Sequence, residues 1–148
     1  MSTDQPPSWT PRGLPARTGT RSTWTWTITR PAELSSARRA LRQGLDERSL
    51  PDGAGEDDVD RLVLAFEELA SNGLRHGGAP IQVQVDGCAH GWLIDVVDAR
   101  PGQPPVPAVD RDPALGGLGL HLVARLSAAV GWAVVGPRKH VWAALVLP

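Results

Sequence analysis

The spacing of apolar residues changes period several times along the chain, and each change marks an element. Trp24, Trp26 and Ile28 alternate with threonines, a period of two that predicts a strand. From Pro31 the period lengthens: Leu34, Ala37, Leu41 and Leu45 recur at three and four, which predicts a helix to about Glu47 with proline near its start. The turn-rich run SLPDGAG separates it from a second helix. There Val59, Leu62, Val63, Phe66, Leu69, Ala70 and Gly73 form one apolar face. Glu56, Asp57, Asp58 and Asp60 crowd its start, where acidic groups favour the positive end of the helix dipole, and Gly77 and Gly78 stop it.

Two alternating runs follow, IQVQVD and GWLIDVVD, with a short turn at Gly87–Gly91, the signature of an antiparallel hairpin. The next segment, DARPGQPPVPAVDRDPALGG, is long and irregular with prolines from Pro101 to Pro113, and a loop of this kind in a compact domain is usually a functional loop or lid. GLGLHLVARLSAAV reads as a third helix entered through glycines. WAVVG and HVWAALVLP read as two closing strands around the turn GPRK. Hairpins outnumber crossovers in this order, so the expected class is α+β, with helices on one face of a mixed, mostly antiparallel sheet. Residues 1–22, polar and rich in proline, are expected to be a disordered tail, leaving 23–148 as one domain.

Composition narrows the chemistry. The chain of 148 residues is long enough for one core, and its net charge of -1 gives no global pull toward nucleic acid or membrane. A lone cysteine, Cys88, forms no internal disulfide and fits a reducing compartment. With neither a signal peptide pattern nor an apolar run of about 20 residues, the expected location is the cytoplasm. Lys139 is the only lysine, and it lies in PRKHVW near the C-terminal end. It therefore serves neither a Walker A loop nor a eukaryotic kinase strand, and a nucleotide here would need another phosphate cradle.

Three features could build such a cradle. On the second helix Glu68 and Asn72 lie four residues apart, His76 continues the line, and Arg75 sits beside it. A carboxylate can take a proton from a hydroxyl, an amide oxygen is a hard ligand suited to Mg²⁺, and histidine and arginine can meet phosphate oxygens. Spacing alone favours a solvated helix face, the commoner case. Gly116, Gly117 and Gly119 open the third helix, where amides without neighbouring Cβ atoms can approach a phosphate, or where glycine merely serves turning or packing. Asp98 ends a strand and opens DARPG, either as an acceptor for an exocyclic amine or as a plain turn aspartate. Cys88 and His90 have no usual zinc spacing; His90 reads as a turn residue and His121 as a residue of the third helix.

Taken in order, EELASNGLRHG, DARPG and GGLGLHLV resemble the GHKL ATPase superfamily, most closely its single-domain branch, the anti-sigma-factor serine/threonine kinases. The resemblance spans roughly residues 24–148. It implies a Bergerat-type two-layer sandwich with three helices on one face, ATP and Mg²⁺ as ligands, and transfer of phosphate to an anti-anti-sigma antagonist, with a sigma factor as a further partner. It also implies roles: Asn72 as metal ligand, Glu68 as general base, Asp98 for adenine with Gly102 at the base pocket, and Gly117, Leu118 and Gly119 at phosphate with Arg75 and His76 nearby. The alternative is a nucleotide- or partner-binding module of the same fold without phosphotransfer. Two departures stand out: Arg100 where the pattern has glycine, and Lys139-His140 where it has a glycine–threonine pair. The closing tryptophan, Trp142, fits the family's last strand. Tryptophans exposed on the first strand would support a homodimer.

Overall fold

The computed structural model describes residues 7–17, 19–47, 50–106 and 118–146. Five strands form one sheet: β1 (Ser22–Ile28), β2 (Ile81–Cys88), β3 (Gly91–Asp98), β4 (Ala129–Val135) and β5 (Arg138–Val146). Their order across the sheet is β1-β2-β3-β5-β4, and every pairing between them is antiparallel. The helices are α1 (Pro31–Glu47), α2 (Glu56–Asn72) and α3 (Leu118–Leu126). They pack over one side of the sheet, giving the expected two-layer α+β sandwich. No helix among the described residues is long and apolar enough to cross a membrane.

Both long helices begin as their sequences dictate. Glu33 Oε1 accepts the otherwise orphaned N–H groups of Thr29 and Arg30, at 3.1 and 3.0 Å, ahead of Pro31 in the first turn. Asp58 reaches back to accept the Gly55 N–H at 2.9 Å, and also pairs with Arg61. Those contacts, the Gly55 bond first, hold the Asp58 carboxyl below the ordinary aspartate range. α2 does not end as a simple helix. Gly73–Gly77 form a π-helical turn, which adds a residue to the turn and shifts the phase of everything after it.

The core lies between helices and sheet. Phe66, fully buried at the centre of α2, meets Trp26 edge to face with ring centroids 5.2 Å apart. Trp24 packs against Gly44 of α1, where a Cβ would lie 3.2 Å from the indole Cε2, which is why a glycine sits mid-helix. The β1 tryptophans, expected from sequence to be exposed, are instead half-buried against the helix layer, and the threonines between them face outward.

The outer face of the sheet has a partial cover. Residues 7–17, part of the segment expected as a disordered tail, run along the edge of β4. Arg12 N–H donates to Trp132 O at 2.8 Å, and a single parallel bridge joins Pro11 to Trp132. Trp142 faces this side, is fully buried, and donates from Nε1 to Arg12 O at 2.9 Å, with the Arg12 guanidinium 5.6 Å from its ring centre. Arg17 closes the run as a fork, one nitrogen 2.6 Å from Asp86 and the other 2.7 Å from Asp95. His140 Nδ1 lies 3.0 Å from Asp95 on the same face.

Element bounds shift in two places. β4 begins at Ala129, inside the run read as the end of the third helix, because α3 stops at Leu126 and the Ala128 N–H already bonds to Ala144 O. β5 begins at Arg138, so Lys139, read as a turn residue, is a strand residue and is buried.

Candidate functional site

The π turn, the end of β3, the loop after it and the start of β5 enclose a cavity of about 340 Å³. Leu69, Val96 and Val141 give it apolar walls, and Asn72, His76, Asp98 and Lys139 supply its polar groups. Gly102, Gln103, Pro104, Pro105 and Val106 close one side. A larger open groove of about 650 Å³, on the outer face beside Arg17, Asp95 and His140, holds none of the residues expected to bind a nucleotide.

Glycines set how closely the walls approach. A Cβ at Gly73 would stand 2.9 Å from Val96 Cγ1, and one at Gly77 only 2.7 Å from Asp98 Cγ. The end of α2 can lie on β3 only because both are glycine. Gly78 has φ +76, where side chains are strained, and the Arg100 side chain lies over it. Gly102 differs: a Cβ there would meet nothing within 4 Å, so its place in the cavity wall has no steric need for glycine.

Asn72 is only 8% exposed, which rules out the solvated-face reading for that residue. Glu68, one turn earlier and half-buried, is not part of the cavity wall; its carboxylate stands against the backbone of Gly119, whose hypothetical Cβ would lie 3.2 Å from Glu68 Cδ. The stripe therefore serves two adjoining places, Asn72 and His76 at the cavity and Glu68 at the start of α3. Arg75 is exposed and outside the wall. Gly116 and Gly117 lie outside the described residues, as does the side chain of Leu118, the first residue of α3.

Asp98 is almost fully buried. Its Oδ1 accepts the Arg100 N–H at 2.8 Å, and its Oδ2 lies 3.3 Å from Lys139 Nζ. The two residues are direct partners in the β3–β5 register, so the ion pair follows from strand alignment. Lys139 also donates to the Gln103 carbonyl, tying the loop to the strand. The Arg100 side chain, in contrast, lies over Gly78 and is not part of the cavity wall. Sequence reasoning missed Lys139 as a site residue. The available signal was its phase: it stands two residues before Val141 and four before Ala143, both inward-facing on β5.

Among the described residues no group of three or more His, Cys, Asp or Glu could hold a metal ion, so neither Cys88 with His90 nor His121 forms such a site. His90 lies in the β2–β3 turn and His121 is exposed on α3. One buried amide oxygen at Asn72 fits an Mg²⁺ ion that arrives with a phosphate ligand, because magnesium keeps water and phosphate oxygens and needs few from protein.

Comparison with known proteins identifies the family and the fold. The model of the histidine kinase-like ATPase domain matches residues 28–145. Among solved structures, the RsbU and RsbW domains of Rv1364c from Mycobacterium tuberculosis superpose with a TM-score of 0.59 at 18% identity over 85% of this chain. The chain spans only 32% of that protein's crystallised chain. A chain of the SiaB-SiaC complex from Pseudomonas aeruginosa gives a TM-score of 0.56 at 14% identity, covering 88% of this chain and 92% of the other. At these identities both likenesses speak for the fold. No curated protein matches by sequence.

Proposed function

The chain belongs to the histidine kinase-like ATPase family, and from that premise we propose that it is an ATP-binding regulatory protein of the anti-sigma-factor type, a cytoplasmic kinase that phosphorylates a serine or threonine of an anti-anti-sigma antagonist. The observation that carries the reading is the meeting of Asn72, His76 and Asp98 on one cavity, with Glu68 one turn away against Gly119. Phosphoryl transfer depends on positioning and charge neutralisation more than on covalent chemistry with the protein, and such a constellation meets that demand.

In this reading the base lies between the apolar walls with its edge toward Asp98, and the phosphates run along the π turn toward α3. Asn72 would hold the Mg²⁺ that neutralises phosphate charge when bound. Gly119, and Gly117 before it, would offer backbone amides at the helix start, with His76 and Arg75 at the mouth. Glu68 takes the proton of the incoming hydroxyl as its oxygen bonds to the γ-phosphorus and the bond to the β-phosphate oxygen breaks, releasing ADP. A protein partner is supported by the neighbour from the SiaB-SiaC complex, a chain crystallised with a protein partner, and the other neighbour contains RsbU and RsbW domains. A sigma factor and a second copy of the chain complete the expected partners.

The test is transfer of label from γ-labelled ATP, with Mg²⁺, to candidate antagonists by the full chain and by Glu68→Ala. Transfer by the parent alone supports the kinase. Nucleotide binding by both with transfer by neither supports a second reading, a binding module of the same fold. The observation favouring that module is the Asp98–Lys139 pair, which already engages the carboxylate expected to meet the base.

A further inference from the structure

The polar end of the cavity has both an acceptor and a donor. Asp98 supplies carboxylate oxygens, and Lys139 supplies an ammonium; both side chains are 4% exposed or less, and both line the cavity. Of the three N–H donors of Lys139, one faces Asp98 and one bonds to the Gln103 carbonyl, and among the described residues the third has no partner and is available for a ligand. Among the described residues each Asp98 oxygen has one polar contact, to the Arg100 N–H and to Lys139, and a carboxylate has about four acceptor positions.

A purine base presents its six-membered edge differently according to position 6. Adenine offers a 6-amino donor next to the N1 acceptor. A 6-oxopurine offers a 6-oxo acceptor next to an N1–H donor. A site with only a carboxylate holds the first by its 6-amine, whereas the second, placed the same way, would set its oxo group against a negative oxygen in a buried place with no donor to meet it. A site with a carboxylate and an ammonium side by side can meet both: the amine on Asp98 with N1 on Lys139, or the oxo group on Lys139 with N1–H on Asp98. We infer that Lys139 makes this site permissive for 6-oxopurine nucleotides as well as ATP, so that its substrate class is purine nucleoside triphosphates rather than adenine alone. This rests on the nucleotide reading of the cavity.

Calorimetry of the full chain with ATP and with inosine triphosphate, each with Mg²⁺, tests it; inosine differs from adenosine only at this edge. The expected result is a ratio of dissociation constants within about tenfold for the parent, and a shift of at least about tenfold against inosine triphosphate in Lys139→Met. Binding of ATP with exclusion of inosine triphosphate by the parent overturns the inference and leaves the nucleotide reading in place. An unchanged ratio in a folded Lys139→Met overturns it too. Binding of neither nucleotide by the parent at millimolar concentration overturns the nucleotide reading itself. The comparison on the parent alone decides the matter if Lys139→Met does not fold.

Discussion

The carboxylate of Glu68 and the backbone of Gly119 are in contact, leaving no room for a side-chain carbon on the glycine. The general base of the proposed reaction and the helix start that faces phosphate are therefore set against one another. Gly119→Ala tests that contact. Alanine gains up to about 1 kcal/mol of helix propensity, offsetting the displacement of a flexible Glu68, so urea unfolding should change by about 1 kcal/mol or less. Phosphotransfer should nevertheless fall about a hundredfold, because Glu68 must turn away. A large loss of stability, or retained activity, would contradict the account.

Glu68→Ala should lower phosphotransfer by about 10²–10⁴ while nucleotide affinity stays within a few-fold. Single-turnover kinetics with saturating ATP separates the two. Asn72→Ala should do the reverse in order of effect, weakening Mg²⁺-dependent nucleotide binding by about 10–100-fold, as expected for losing a contact to a charged group. Titration with and without Mg²⁺ should show that the difference between parent and variant needs the metal.

The Asp98–Lys139 pair predicts a specific stability pattern. Lys139→Met leaves a buried carboxylate without its partner and should cost about 3–5 kcal/mol in chemical unfolding of the ligand-free protein. Adding Asp98→Asn should recover most of that loss, because the stranded charge is gone.

Removing the outer cover should matter as well. Arg17→Ala strips the shared cation from Asp86 and Asp95; since Arg17 is about a third exposed, the expected cost is about 1–3 kcal/mol. Deleting residues 1–17 should in addition speed hydrogen exchange at the Trp132 amide, which bonds to Thr10 O at 3.3 Å. Unchanged exchange would mean that the segment does not hold β4 in solution.

Acid should loosen the start of α2. Folding lowers the Asp58 pKa, so its contribution is present above the unfolded value, about 3.9, and is lost as pH falls through the folded value. Asp58→Asn should remove that part of the pH dependence below about pH 4 and leave the rest, as followed by thermal unfolding across pH.

Much of the fold was legible because its elements are long and strongly periodic. Period-two runs such as IQVQVD and the three-four spacing on α1 and α2 left little choice of state. Errors fell where local pattern was silent. Ala128–Ala129–Val130 suits helix or strand, and its pairing with Ala144 decided the matter from 15 or so residues away. The Pro-rich N-terminal run has no periodicity, yet Arg17 joins two acids that come together only through β2–β3 pairing. Asp86 and Asp95 both take the outward phase of their strands, so a cation above them was the one available hint. At the site, Asn72, His76 and Asp98 were readable as motif residues, whereas Lys139 was hidden by a strand start misplaced by two residues.

The widened turn at Gly73–Gly77 gives one continuous helical segment two independent phases. Asn72, before the turn, faces the cavity in the phase set by the packing of Phe66 and Leu69; His76 and Gly77, after it, reach the cavity and Asp98 in the phase set by the turn. The turn thus works as a register joint. Trimming one residue from it would swing His76 and Gly77 around the axis while Asn72 keeps its place, so the two parts of the cavity's lining can be set relative to one another by the length of a single turn.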